Sequence, residues 1–141
     1  MPDLDAILQD LLHNLRGSRV TLRQDTPGDY AFPVTHEALA EGVTSLRYER
    51  TVDLSNQPVV RELLQGRQVV QPDCAAAYDD PAFRRMLETY GGLAAQIVTP
   101  VVVDERLVAI LSLHQLAIPR PWSEEEITAC SGAAAKIGDL L

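Results

Sequence analysis

The segment AQIVTPVVVDERLVAILSLHQ, residues 95–115, holds two apolar runs, Ala95 to Val103 and Leu107 to Gln115, separated by Asp104-Glu105-Arg106. Runs rich in Val, Ile and Leu with so short a polar break predict an antiparallel hairpin. The second strand ends on an imidazole. Alternation places His114 on the same face as Ser112 and Ile110, with Leu111, Leu113 and Gln115 on the other. A histidine there serves either as a hydrogen-bonded structural group or as a ligand contact, and both readings stay open.

Outward from the hairpin, the chain alternates helical and extended patterns. Upstream, Leu4, Ile7, Leu8, Leu11, Leu12 and Leu15 follow an i, i+3, i+4 pattern that predicts a helix over residues 3–15, stopped by Gly17. Arg19-Val20-Thr21-Leu22-Arg23 and Tyr30-Ala31-Phe32-Pro33-Val34 read as strands joined through Asp25-Thr26-Pro27-Gly28-Asp29. A short helix at His36 to Glu41 and an extended piece from Ser45 to Val52 are expected next. Ser55-Asn56-Gln57-Pro58 opens a helix closed by Gly66, and Gln68 to Gln71 is a short strand. Asp79 or Asp80 caps a helix from Pro81 to Tyr90. Ser123-Glu124-Glu125-Glu126 has the form of a capping box ahead of a terminal helix. The order suits an α+β fold, an antiparallel sheet of five to six strands with helices packed on it as an α/β/α sandwich.

At 141 residues, 46% of them hydrophobic, the chain is the size of one domain spanning 1–141. Its formal charge of −8 repels phosphate backbones and anionic lipid, so neither nucleic acid nor membrane is an expected partner. No run reaches the roughly 18 apolar residues of a membrane helix, and the acidic N-terminus lacks the basic region of a signal peptide, which together predict a cytoplasmic protein.

Enzymatic signatures are sparse. The chain lacks GxSxG, HExxH, Walker-type and GxGxxG motifs. Cys74 and Cys130 stand apart from other metal-ligating residues and read as ordinary thiols. Glu124 to Glu126 suit a helix N-terminus rather than a metal. His13 lies beside the apolar stripe of the first helix, and His36 beside Glu37 in a weakly patterned segment.

The C-terminal half, from about Val69, resembles the GAF domain family. An apolar hairpin, the strand Leu107 to Leu113, the turn Arg120-Pro121-Trp122-Ser123-Glu124-Glu125-Glu126 and an amphipathic helix follow that family's pattern. Within it, Leu107 to Gln115 followed by Pro119-Arg120-Pro121-Trp122 is similar to phytochrome-type GAF domains, where the histidine at the His114 position faces a tetrapyrrole. The positions that would carry the attachment cysteine and the second histidine are Ala82 and Phe83 here, which argues against a covalently bound bilin and leaves the ligand unidentified.

The resemblance implies a cavity between sheet and helices, lined by Gln96, Val98, Ser112 and His114 from the strands and Phe83, Met86 and Tyr90 from the helix. With Arg84 or Arg85 nearby, an anionic or aromatic small molecule would suit it. The expected function is non-enzymatic small-molecule sensing. The leucine stripe of residues 1–16 and Ala133-Ala134-Ala135 predict a homodimer, with any output passed to a separate protein. The alternative is a small enzyme of lyase, isomerase or reductase type using His114 as acid/base with Tyr90 or Glu88.

Overall fold

The computed structural model describes residues 3–28 and 31–141. Four helices, α1 (Leu4–Leu15), α2 (Pro58–Leu64), α3 (Pro81–Thr89) and α4 (Glu124–Leu140), accompany five strands. The strands are β1 (Arg19–Gln24), β2 (Val34–Leu39), β3 (Val69–Gln71), β4 (Leu93–Val103) and β5 (Arg106–Leu116). They form one antiparallel sheet in the order β2-β1-β5-β4-β3.

The β4–β5 hairpin is the centre of this sheet. Its turn is tighter than the three polar residues suggest: Val103 pairs with Arg106, so Asp104 and Glu105 alone make the loop. Both have positive φ, 52° and 64°, the combination a two-residue turn needs to match strand twist.

Each face of the sheet is covered differently. α1 and α4 lie on one side, where Leu8, Leu11, Leu12, Ala134 and Ile137 pack on Val20, Leu22, Ile97, Leu111 and Leu113. α2 and α3 cover the other, where Leu63, Phe83, Met86 and Leu87 meet Val98 and Ile110. At about 25 cal/mol per Å² of apolar surface, each fully buried Leu or Phe contributes roughly 1.5–3 kcal/mol.

α1 ends in a left-handed residue, but that residue is Arg16 rather than Gly17. The glycine is needed one step later, because a Cβ on Gly17 would stand 2.5 Å from Leu113 Cδ1. Asp80 caps α3 through Ala82 and Phe83 N–H groups. Ser123 and Glu126 form the complete capping box of α4.

Arg120, from the turn before α4, donates to Leu15 O and to the Glu126 carboxylate and lies over the Trp122 ring. It thereby ties the end of α1 to the start of α4. Burial opposes ionisation of Glu126, but the Ser123 N–H and Arg120 outweigh it and hold the carboxyl below its usual value.

Three expectations are corrected. The second strand is Val34–Leu39, not residues 30–34; Tyr30 and the turn residue Asp29 lie outside the described residues. The segment His36 to Glu41 is therefore not a helix: pairing of β2 with the edge of β1 overrides the helical preference of Glu37, Ala38 and Leu39. Ser45 to Val52 is irregular, held by hydrogen bonds from Ser45 and Leu46 to Glu37 and from Thr51 and Val52 to Glu49.

Replacing Glu105 by glycine relieves a left-handed conformation that costs a residue with a Cβ about 1 kcal/mol. Chemical denaturation of Glu105→Gly should show stabilisation of about that size, and thermal melting a rise of roughly 3–5 °C.

Candidate functional site

Strand alternation carries a polar group onto the α2/α3 side of the sheet from each of the three central strands. β5 places Ser112 and His114 there, and register sets Gln96 opposite His114 and Val98 opposite Ser112. β1 sets Arg19 opposite His114, Thr21 opposite Ser112 and Arg23 opposite Ile110. All of these are buried.

The two arginines are the unusual members. Arg19 is fully buried, and its guanidinium donates to His114 Nδ1 at 3.1 Å, to Thr44 O at 2.8 Å and to Tyr90 O at 2.7 Å. Tyr90 terminates α3, so this cation also sits where the helix dipole favours positive charge. Arg23 donates to Phe32 O at 3.1 Å and to the Tyr90 hydroxyl at 3.0 Å. Every one of these acceptors is neutral. Among the described residues no carboxylate lies within ion-pair distance of either guanidinium. Glu37 favours the Arg19 charge from farther away, while its own oxygens accept from Ser45 and Leu46.

A guanidinium can only donate, so His114 Nδ1 must accept, and the neutral ring carries its proton on Nε2. Burial, then the Arg19 charge, then Arg23, hold the imidazole well below its ordinary pKa. Burial likewise raises the Tyr90 phenol and lowers Arg19 to about 10, leaving Arg19 a cation and Tyr90 neutral at pH 7. The Tyr90 and His114 rings stack at 6.0 Å.

Between these groups and the helices lies a cavity of about 40 Å³. Its floor is Arg23, Gln96, Val98, Ile110, Ser112 and His114, and its roof Leu54, Gln57, Val59, Val60, Leu63, Met86 and Tyr90. A larger groove of about 540 Å³ runs between α4 and the end of β4, but it is open and no buried charged side chain lines it. The smaller site is the better candidate because its lining residues are buried and its polar groups desolvated.

Of the residues expected from the sequence, Met86, Tyr90, Gln96, Val98, Ser112 and His114 come together at this cavity. Phe83 does not: one turn before Met86, it packs edge-on against Tyr78 at 4.9 Å. The cations are also elsewhere than expected. Arg84 and Arg85 are exposed, with Arg84 paired to Asp79, and β1 supplies the charges instead. Glu88 faces solvent and is no partner for His114. Nothing in the sequence pattern marks Arg19, Arg23 or Gln57 as site residues. The alternation of residues 19–23 signalled a polar face but not that this face is covered.

Both cysteines are buried, and burial pushes each thiol up to about 12, so they remain protonated. No cluster of potential metal ligands occurs among the described residues. None of their helices is long and apolar enough to cross a membrane.

Five antiparallel strands with helices on both faces and a small cavity on one of them define an α+β module of the GAF type. The chain matches the GAF domain family over residues 3–139 and belongs to it. Similar solved structures include the blue-light absorbing form of the Thermosynechococcus elongatus PixJ GAF domain, 26% identical with a TM-score of 0.79, over 98% of this chain and 84% of that one. A cyanobacteriochrome receptor PixJ structure is 28% identical, TM-score 0.77, over 98% and 93%. The fold is shared by a far-red absorbing dark state, JSC1_58120g3 with bound biliverdin IXa, at 18% identity and TM-score 0.78 over 99% and 89%. No curated protein matches.

The His114 ring makes stability depend on pH. Its pKa is depressed by folding, so its contribution is complete above the unfolded value of about 6.5 and is lost as pH falls, because the unfolded chain takes up the proton first. Urea unfolding between pH 7.5 and 5 should show wild type losing up to about 1.4 kcal/mol per pH unit more than His114→Gln, which keeps an acceptor for Arg19 but does not titrate. Parallel pH profiles for the two proteins would contradict the assignment.

Proposed function

We propose that the chain is a non-enzymatic small-molecule sensor. Residues 1–141 act as one GAF unit in the cytoplasm, and a compact ligand is held without a covalent bond between Arg23, Tyr90, Gln96, Ser112 and His114. The observation that carries this reading is a cavity lined by buried residues whose floor is a polar set rather than plain core. Arg23, Tyr90 and Gln96 already have protein partners, and a ligand is one way to engage the remaining polar capacity of the set.

The bilins associated with the similar photoreceptor domains do not fit these residues. Organic ligands and cofactors of that kind occupy several hundred Å³, against about 40 Å³ here. Cys74 is buried and protonated in the helix-side core, unsuited to attack on a vinyl group. Arg19 and Arg23 occupy the space beside His114 with their own side chains.

Signal output through a homodimer is part of the same proposal. Most of the α1 stripe is used within the chain, but a groove of about 380 Å³ remains between α1 and α4, with Asp10 and Lys136 among its lining residues. A two-fold partner could bring such opposite charges together.

Native mass spectrometry of protein purified from its own source should show a small non-covalent adduct that is lost on denaturation and weakened by His114→Ala. Co-expression with bilin-producing enzymes should yield no visible absorbance. A covalent tetrapyrrole adduct would overturn the reading.

A further inference from the structure

The only two buried side-chain polar atoms without a hydrogen-bond partner among the described residues are Gln57 Oε1 and Thr21 Oγ1. Both belong to this region. Gln57 is 3% exposed and lines the cavity roof, and Thr21 shares the sheet face of Arg19 and Arg23 beside Ser112. Among the described residues, unpaired polar atoms therefore gather where two buried guanidinium charges have neutral partners only.

From this juxtaposition we infer that the cavity takes a small carboxylate, its compact head group bound beside Arg23. The inference rests on the sensor reading above and gives its ligand a chemical class.

Four features select that class, and the volume limits its size. The local charge is positive, with no ion-paired carboxylate among the described residues, so an anion is favoured over a neutral or cationic guest. A guanidinium fork matches a planar carboxylate better than a spherical ion. Ser112, the Nε2–H of His114 and the Gln57 amide, which presents its NH2 after a half-turn, add neutral donors around the same space. Val98 and Ile110 leave an apolar wall for a methyl group or short chain. Size sets the limit: about 40 Å³ suits a compact group and falls far short of the several hundred Å³ of a site for a larger organic ligand.

Acetate is the probe. Full-length protein, dialysed free of carboxylates, is titrated with sodium acetate, with sodium chloride at equal ionic strength and with acetamide, the neutral isostere, following melting temperature and heat of binding. Saturable stabilisation by acetate alone is the expected result. Gln57→Glu, which places a carboxylate at the cavity roof, should weaken acetate binding at least about tenfold. Arg23→Gln should do the same.

Equal responses to acetate and chloride, or to acetate and acetamide, would overturn the inference, as would unchanged acetate binding in a folded Gln57→Glu protein. If neither variant folds, the three wild-type titrations decide alone. A neutral molecule found in source-purified protein, with no acetate response, removes the carboxylate and leaves the sensor reading. Absence of both removes the two together.

Discussion

The guanidinium of Arg19 is the constraint around which the α2/α3 side of the molecule is arranged. A cation taken fully out of water costs several kcal/mol unless its donors are satisfied. Here Thr44 O, Tyr90 O and His114 Nδ1 satisfy three of them. Those acceptors come from the loop after β2, the end of α3 and β5, so one side chain on β1 fixes three other parts of the chain. Burial first, then the Arg19 charge and that of Arg23, keep His114 neutral, and the Arg19 Nε–H bond to Nδ1 fixes which ring nitrogen bears the proton.

The two faces of the sheet divide the work. Under α1 and α4 the contacts are aliphatic, and the charged groups stay at the margin, where Arg120 joins Leu15 O to Glu126. Under α2 and α3 the core continues as Leu63, Phe83 and Leu87, but its inner part is polar. An apolar face is tolerant of small shifts, whereas a hydrogen-bonded charge has few acceptable geometries. The second face is therefore the more strictly specified one.

The parts of this fold legible in the sequence are those with a strong period. The hairpin over residues 95–115, α1, α3 and α4 have long apolar patterns and clear caps, and strand alternation alone put Ser112 and His114 on one side. β2 was not legible because Thr35, His36 and Glu37 lack alternation and its stability comes from pairing with β1. Arg19 and Arg23 are not legible as buried residues for a related reason. An Arg-Val-Thr-Leu-Arg strand reads as half exposed, and only the order β2-β1-β5-β4-β3, with helices on both faces, shows that β1 has no solvent side. Phe83 lies outside the cavity because α3 turns Met86 and Tyr90, but not the preceding turn, toward it.

The cavity and the terminal helices are joined by hydrogen bonds rather than by apolar packing alone. Gln96, on the cavity floor, donates to Gln71 Oε1 at 2.8 Å; the Gln71 carbonyl accepts from Trp122 Nε1 at 3.1 Å; Arg120 stacks on Trp122 and donates to Leu15 O at the end of α1. Rotation of the Gln96 amide would break the first of these bonds and leave the buried Gln71 side chain without that partner, at a cost of about 1–3 kcal/mol. Gln71 closes the three-residue edge strand β3, where it pairs with Gln96 in register and its neighbour Pro72 accepts from the Arg120 N–H. The Pro-Arg-Pro-Trp turn that follows β5 is thus placed by the same sheet edge that closes one side of the cavity, and α1 and α4 meet at its far end.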